Sequence, residues 1–373
     1  MSGIDLERYP FDYDLTFCAL LMRADGHLYH TFGGRTWRDA QSHLSIPAFL
    51  RVLQITDEEH RAEPPAPKRK PRPSRTVEQL PPLARRIAAG NRPDCIHCHN
   101  VHDWQMQTEV EAKTWERKKA WRFPDPIQWG LELDAIEQNR VSAVHRAGAK
   151  ARIARGDDGE PLGAPLEVGD RIVRIAETPI ATFGDIVRTM DRLGDARSVT
   201  IEVSRKKAWE AWHRARTESE RKEPNKHSSA TAHPPTETIV LALDENWRVP
   251  DPLVYSWRSL KWNLEPAPGF GGPQLTPKEL AKLALPTGTF AYRVQYLVTW
   301  GPRKHTGQNA ARAGIRKGDV ILALAEKRDF ETIEHVHSWF RLTRKIGDVV
   351  PIEILRGGEK RVVKLEVVGH ADR

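Results

Sequence analysis

Cysteine is scarce in this 373-residue chain, and three residues cannot build a disulfide framework, so stability must come from buried apolar cores. Long apolar runs are missing too. The longest uncharged one, Leu15 to Met22, falls far short of the ~18 residues a membrane-spanning helix requires. The sequence starts Met1-Ser2-Gly3-Ile4-Asp5, with no basic stretch followed by an apolar core, and as written no export signal is expected. Neither G-N-S-G-G nor G-x-S-x-G occurs, and His145, His335 and His337 have no matched serine and acid. Proteolysis is therefore not expected, no catalytic residue is assigned, and any enzymatic role is confined to electron transfer or thiol redox.

What is present is enough for several cores. With 39% hydrophobic and 29% charged residues the chain can fold and stay soluble, and its length suits two or three modules. The net charge of +8 would permit a polyanion partner, but the basic residues sit in Lys68-Arg69-Lys70-Pro71-Arg72-Pro73 and around Lys206 and Lys207. Both stretches read as a linker or a solvated helix, so a nucleic-acid partner is not expected.

Composition divides the chain. Pro64 to Pro73 is proline-rich and basic, which sets a linker over 61–80 after a first module of 1–60. A segment over 81–126 reads as helical. Two stretches, 127–244 and 265–373, share an order of features and read as a diverged duplication joined by a connector over 245–264. A polar excursion, expected to be disordered from Glu218 to Thr236, lies in an insert over 206–236 of the first copy.

In the first sixty residues, Leu15 to Met22 reads as a strand covered on both faces, Asp25-Gly26 as a turn, and His27 to Phe32 as a second strand. Ser45 can cap a helix carrying Phe49, Leu50, Val52 and Leu53. This order resembles the C-terminal half of a thioredoxin-like domain over about Phe11 to Ile55. The resemblance implies a domain whose first half, with its active-site dithiol, lies upstream of this sequence. Cys18, in mid-strand, reads as a small buried hydrophobe.

Asp94-Cys95-Ile96-His97-Cys98-His99-Asn100-Val101-His102 is the most chemically loaded stretch. C-x-x-C-H resembles a c-type haem attachment site, which implies thioethers at Cys95 and Cys98 and His99 as iron ligand, the sixth ligand being left open. Two other chemistries suit the same residues. Cys95 and Cys98 could exchange disulfides, with His97 stabilising a thiolate, or Cys95, Cys98, His99 and His102 could hold zinc. Haem attachment needs an oxidising compartment. The expected location is therefore a bacterial periplasm if upstream sequence is missing, and the cytoplasm if it is not.

The last segment contains Gly269-Phe270-Gly271-Gly272, a strand over Ala291 to Val298, Ala310-Ala311-Arg312-Ala313-Gly314-Ile315-Arg316-Lys317-Gly318-Asp319-Val320-Ile321, a helix from Ile333 to Thr343 and two closing strands. The earlier one contains Trp129-Gly130-Leu131-Glu132-Leu133, Val168-Gly169-Asp170-Arg171-Ile172, a helix from Phe183 to Leu193 and a stretched final hairpin. Both resemble PDZ domains of HtrA-type proteins, and the whole chain resembles multidomain thioredoxin/PDZ proteins, selenoproteins included. The resemblance implies an α/β and β-rich multidomain fold: a partial thioredoxin-like fragment, a short helical C-x-x-C-H segment and two PDZ-like, partly open β-barrels. It also implies capture of C-terminal or extended peptides, with Gly130, Leu131, Gly271 and Gly272 in the carboxylate-binding loops, Ile186 and Val336 lining the pockets, and a redox partner recruited to the C-x-x-C-H site.

Overall fold

In the computed structural model, residues 3–62, 75–222, 234–301 and 303–369 are described. The chain forms two compact units: Met1–Thr108 with Glu116–Pro250, and Glu109–Trp115 with Asp251–Arg373. The division at 250 falls inside the segment expected to be a connector. The linker residues 63–74 and residues 223–233 of the insert lie outside the described residues.

The first unit opens with a hairpin, β1 (Ala19–Met22) and β2 (Leu28–Phe32), antiparallel with Ala19 opposite Phe32 and Leu21 opposite His30. The strand starts later than Leu15, and Phe17 is half exposed, so this end of the run is not covered on both faces. Helix α1 (Ile46–Ala62) begins where Ser45 Oγ accepts the Ala48 amide. It buries Ala48 and Val52 but leaves Ile46, Leu50 and Leu53 exposed. After a 3-10 turn over Val77–Gln79 come α2 (Pro81–Ala88), started by its own prolines, and α3 (Cys98–Glu111). Leu6, Phe11, Tyr13, Val77, Leu80, Leu83, Val101 and Trp104 form one buried cluster that ties the N-terminal segment to these helices.

The rest of this unit is a β-rich module. Its strands are β3 (Leu131–Leu133), β4 (Val141–Val144), β5 (Ala151–Ile153), β6 (Arg171–Ile175) and β7 (Thr178–Pro179). Helix α4 (Phe183–Arg192), β8 (Ser198–Ser204), helix α5 (Lys206–Lys222) and β9 (Glu237–Leu243) complete it. β3 pairs with β4, while the other strands form a sheet in the order β5-β9-β8-β6-β7. Residues 206–222 of the polar insert are helical, held by a cation–π contact of Arg171 on Trp209 (4.1 Å) and an Arg216–Glu58 ion pair (2.7 Å). The disorder expected from Glu218 is therefore corrected for Glu218–Lys222, which extend that charged helix.

The second unit contains α6 (Pro252–Tyr255), β10 (Phe270–Gly271), α7 (Pro277–Lys282), β11 (Tyr292–Arg293), β12 (Tyr296–Leu297) and α8 (Lys304–Arg312). Then follow β13 (Val320–Leu324), α9 (Ile333–Thr343), β14 (Val349–Arg356) and β15 (Glu359–Glu366). β10 pairs with β12, and β11-β13-β14-β15 form a four-stranded sheet around a core that includes Phe270, Tyr292, Ile321, Val336, Phe340 and Ile352.

The two modules repeat one plan. A Gly-Asp turn precedes the central strand, β6 or β13; a threonine-capped helix follows, α4 from Thr182 and α9 from Thr332; a hairpin closes the sheet. The turn aspartates are treated alike. Asp170 accepts the Glu167 amide (3.0 Å) and the Arg205 guanidinium (2.6 Å), and Asp319 accepts the Arg316 amide (2.8 Å) and two bonds from Arg356 (2.7 Å each). Each arginine stands at the end of the strand paired with the central one, so one buried carboxylate ties the start of the central strand to the end of its neighbour. Among the described residues none of the sheets closes into a barrel. The architecture is a mixed α/β one of several small open sheets, coarser than the partly open barrels expected.

Candidate functional site

The C-x-x-C-H stretch straddles the start of α3. Cys95 is exposed and precedes the helix, Cys98 is its first residue and half-buried, and His97 and His99 face solvent. One turn further on, His102 is only 6% exposed, with Tyr13 edge-on at 4.9 Å and Phe123 stacked at 6.1 Å. Neither of its ring nitrogens has a hydrogen-bond partner. Both helix histidines turn Nδ1 toward the carboxylate of Asp14: His99 stands 3.9 Å from Oδ1 and His102 3.6 Å from Oδ2. Among the described residues no group of three or more His, Cys, Asp or Glu is placed to hold a metal ion. The sequence had no local signal for Asp14, which reaches the motif only through the packing of Phe11 and Tyr13 against α2 and α3.

Cys18 packs against the same cluster as Cys98. Its thiol is pushed up to about 12, first by burial and then by Asp12 and Cys98, which makes it unreactive as a nucleophile near neutrality.

In the two modules the loop candidates lie beside short lead strands. Gly130 is in the left-handed region (φ 79°), where a Cβ would come within 2.2 Å of the His145 carbonyl. Its counterpart is Gly269 (φ 82°), where a Cβ would lie 2.2 Å from the Thr306 carbonyl. Gly271 lies within β10, and at Gly272 a Cβ would run into the Arg293 carbonyl. The sequence motif thus points two or three residues past the position where the second backbone makes the same turn. Beyond them, β3 pairs only with β4 and β10 only with β12, so each lead strand has one edge without a strand partner among the described residues. Leu131 is buried, and Ile186 and Val336 are fully buried in the two cores, so the side chains proposed to line the pockets face inward here.

Neighbouring segments cover both helices. β2 runs onto the start of α4: the Thr31 amide donates to Asp185 Oδ1 (2.8 Å) and Thr182 Oγ1 donates to the Thr31 carbonyl (2.6 Å). Beside them His30 donates through Nδ1 to Asp185 (2.8 Å) and through Nε2 to Glu59 (3.0 Å). Burial pulls the imidazole down, but Asp185 and Glu59 outweigh it and raise it to about 10. In the second unit, Ser338 Oγ of α9 donates to the Pro252 carbonyl (2.5 Å), Arg341 donates to the Leu264 carbonyl (2.6 Å), and Trp262 leans on His337 at 4.8 Å. Burial, with Arg341 and Lys261 nearby, lowers His337 to about 3 and so keeps it neutral.

No protein-family model matches the chain, and no curated protein matches it. Among solved structures it is similar to the HtrA-type protease AlgW with decapeptide, at 23% identity and a TM-score of 0.22, covering 35% of this chain and 36% of that one. A variant of AlgW with decapeptide is similar at 22% identity and a TM-score of 0.23, covering 37% and 38%. The chain spans little more than a third of the length of either structure. No helix among the described residues is long and apolar enough to cross a membrane.

Proposed function

We propose that the chain is a non-catalytic scaffold that binds extended peptide segments of other proteins through its two β-rich modules. The observation that carries this reading is the lead strand repeated in each module, entered through a left-handed glycine and, among the described residues, paired along one edge alone. An open strand edge offers a row of main-chain donors and acceptors, and an added peptide strand satisfies them at little conformational cost to the scaffold. Because Ile186 and Val336 face the cores, the preference for peptide side chains comes from groups around the edges and not from those two residues.

The test is a screen of the full chain against a diverse library of C-terminal and internal peptides, followed by amide chemical-shift mapping. Micromolar ligands are expected, with perturbations at Gly130–Leu133 or Gly269–Gly272. A library that yields no ligand, or perturbations confined to other surfaces, would remove the reading.

A further inference from the structure

We infer that the groove along α5 in the first unit holds an extended acidic segment of another protein, at a site that does not use the lead strands. The groove has a volume of about 900 Å³ and runs between one face of α5 and a wall that includes Glu137, Arg140 and Arg171. Helix α5 is an addition to the plan the two modules share. β14 and β15 are joined by Gly357 and Gly358, whereas Arg205 to Thr236 separate β8 from β9, far more chain than a hairpin needs to close. The helix is nevertheless held in place. At its start the Lys206 amide donates to Asp170 Oδ1 (3.2 Å), and further along Arg216 pairs with Glu58 (2.7 Å). Within the groove the Arg171 guanidinium, fixed by two bonds to Glu137 (2.7 and 2.8 Å), lies 4.1 Å from the Trp209 ring, and His213 is stacked on that ring at 5.9 Å. This surface is preorganised before any ligand arrives.

The charges along this face are not balanced. Arg140 and Arg171 share Glu137, and Glu218 is paired with Lys222, but Lys206, Arg214 and Arg221 are exposed and have no ion-pair partner among the described residues. Against these three cations stands Glu210. The surplus is positive, and an anionic ligand neutralises it. Length and spacing select the kind of anion. From Lys206 to Arg221 the wall runs roughly 22 Å at about 1.5 Å per helical residue, the span of about seven residues of extended chain. The three cations stand roughly 10–12 Å apart, three to four residues of such a chain. Glu210 and Glu218 alternate with them along the helix. A nucleic-acid strand, with its unbroken row of phosphates, would set negative charge against both glutamates. A peptide can place carboxylates opposite Lys206, Arg214 and Arg221 and uncharged groups opposite Glu210 and Glu218.

The decisive measurement is fluorescence anisotropy of the full chain with a labelled peptide of about eight residues in which every third or fourth is glutamate. Micromolar binding is expected at low ionic strength, falling severalfold at about 0.5 M salt, because screening acts on exposed pairs. The same peptide with glutamine for glutamate should bind about tenfold more weakly. A triple Lys206→Gln, Arg214→Gln, Arg221→Gln variant should lose about as much, three exposed pairs acting together. All three side chains face solvent, and circular dichroism separates lost binding from lost fold. Amide shifts should move along residues 206–221. Perturbations confined to Gly130–Leu133 or Gly269–Gly272 would overturn this site while leaving the lead-strand reading in place. So would an acidic peptide that binds the triple variant as tightly as the parent. A chain that binds no acidic peptide, or that binds a single-stranded oligonucleotide of equal charge more tightly, would equally overturn the inference.

Discussion

His30 is a buried, charge-paired side chain of the first unit. It is almost fully buried, with Asp185 on one nitrogen and Glu59 on the other, and Asp185 has no exposed surface. Such a pair adds little when compared with an apolar replacement, yet removing one member leaves the other charged and dry. His30→Ala should therefore cost about 3–5 kcal/mol, measured by urea unfolding at neutral pH. Proton linkage gives a second signature. The folded value, about 10, is above the ordinary 6.5, so the folded chain holds a proton that the unfolded chain releases. The stability from this pair is fully present below 6.5 and lost as pH rises toward 10. A urea midpoint that stays flat across this window would show that His30 is not held as an imidazolium.

At the scale of elements, α4 shows how packing can reverse a local preference. Glycine inside a helix is ordinarily unfavourable by about 0.5–1 kcal/mol relative to alanine. Gly184, in the first turn of α4, lies so close to β2 that a Cβ would come within 2.2 Å of the Thr31 carbonyl and 3.0 Å of that of Gly33. Gly184→Ala is therefore expected to lower the thermal midpoint, against helix propensity, because the hairpin must move away from the helix. A raised midpoint would mean that β2 is not seated there. The helix starts were legible in sequence, with helices expected from Phe183 and Ile333, whereas the threonines that cap them, Thr182 and Thr332, came only with the structure. The start of β1 was not legible. The apolar run from Leu15 reads as strand, but only Ala19 onward finds a partner in β2.

On the scale of the whole molecule, the N-terminal residues are not an independent module. The first unit includes them, through Thr31 and His30 on α4 and through Arg51 reaching the Ala181 carbonyl and Asn139. Deleting residues 1–62 strips the start of α4 of these partners and exposes Asp185. Calorimetry should then show the first unit's transition several degrees lower. An unchanged first transition would make those residues a passenger. The division into units also differs from the one composition suggests. A proline-rich stretch marks where the chain is extended, whereas a unit is defined by which surfaces bury one another.

The sequence by itself determined what depends on near neighbours: the Gly-Asp turns, the helix starts, the strand alternation and the repeat of one plan in two segments. These follow from backbone sterics and from periodicities of two or 3.6 residues, which any local window contains. Tertiary structure decided the rest. It brought His30 to Asp185 across 155 positions, set Asp14 against His99 and His102, and turned Ile186 and Val336 into the cores. Charge pairing and desolvation act between groups close in space, and closeness in space comes only from the folding of the whole chain.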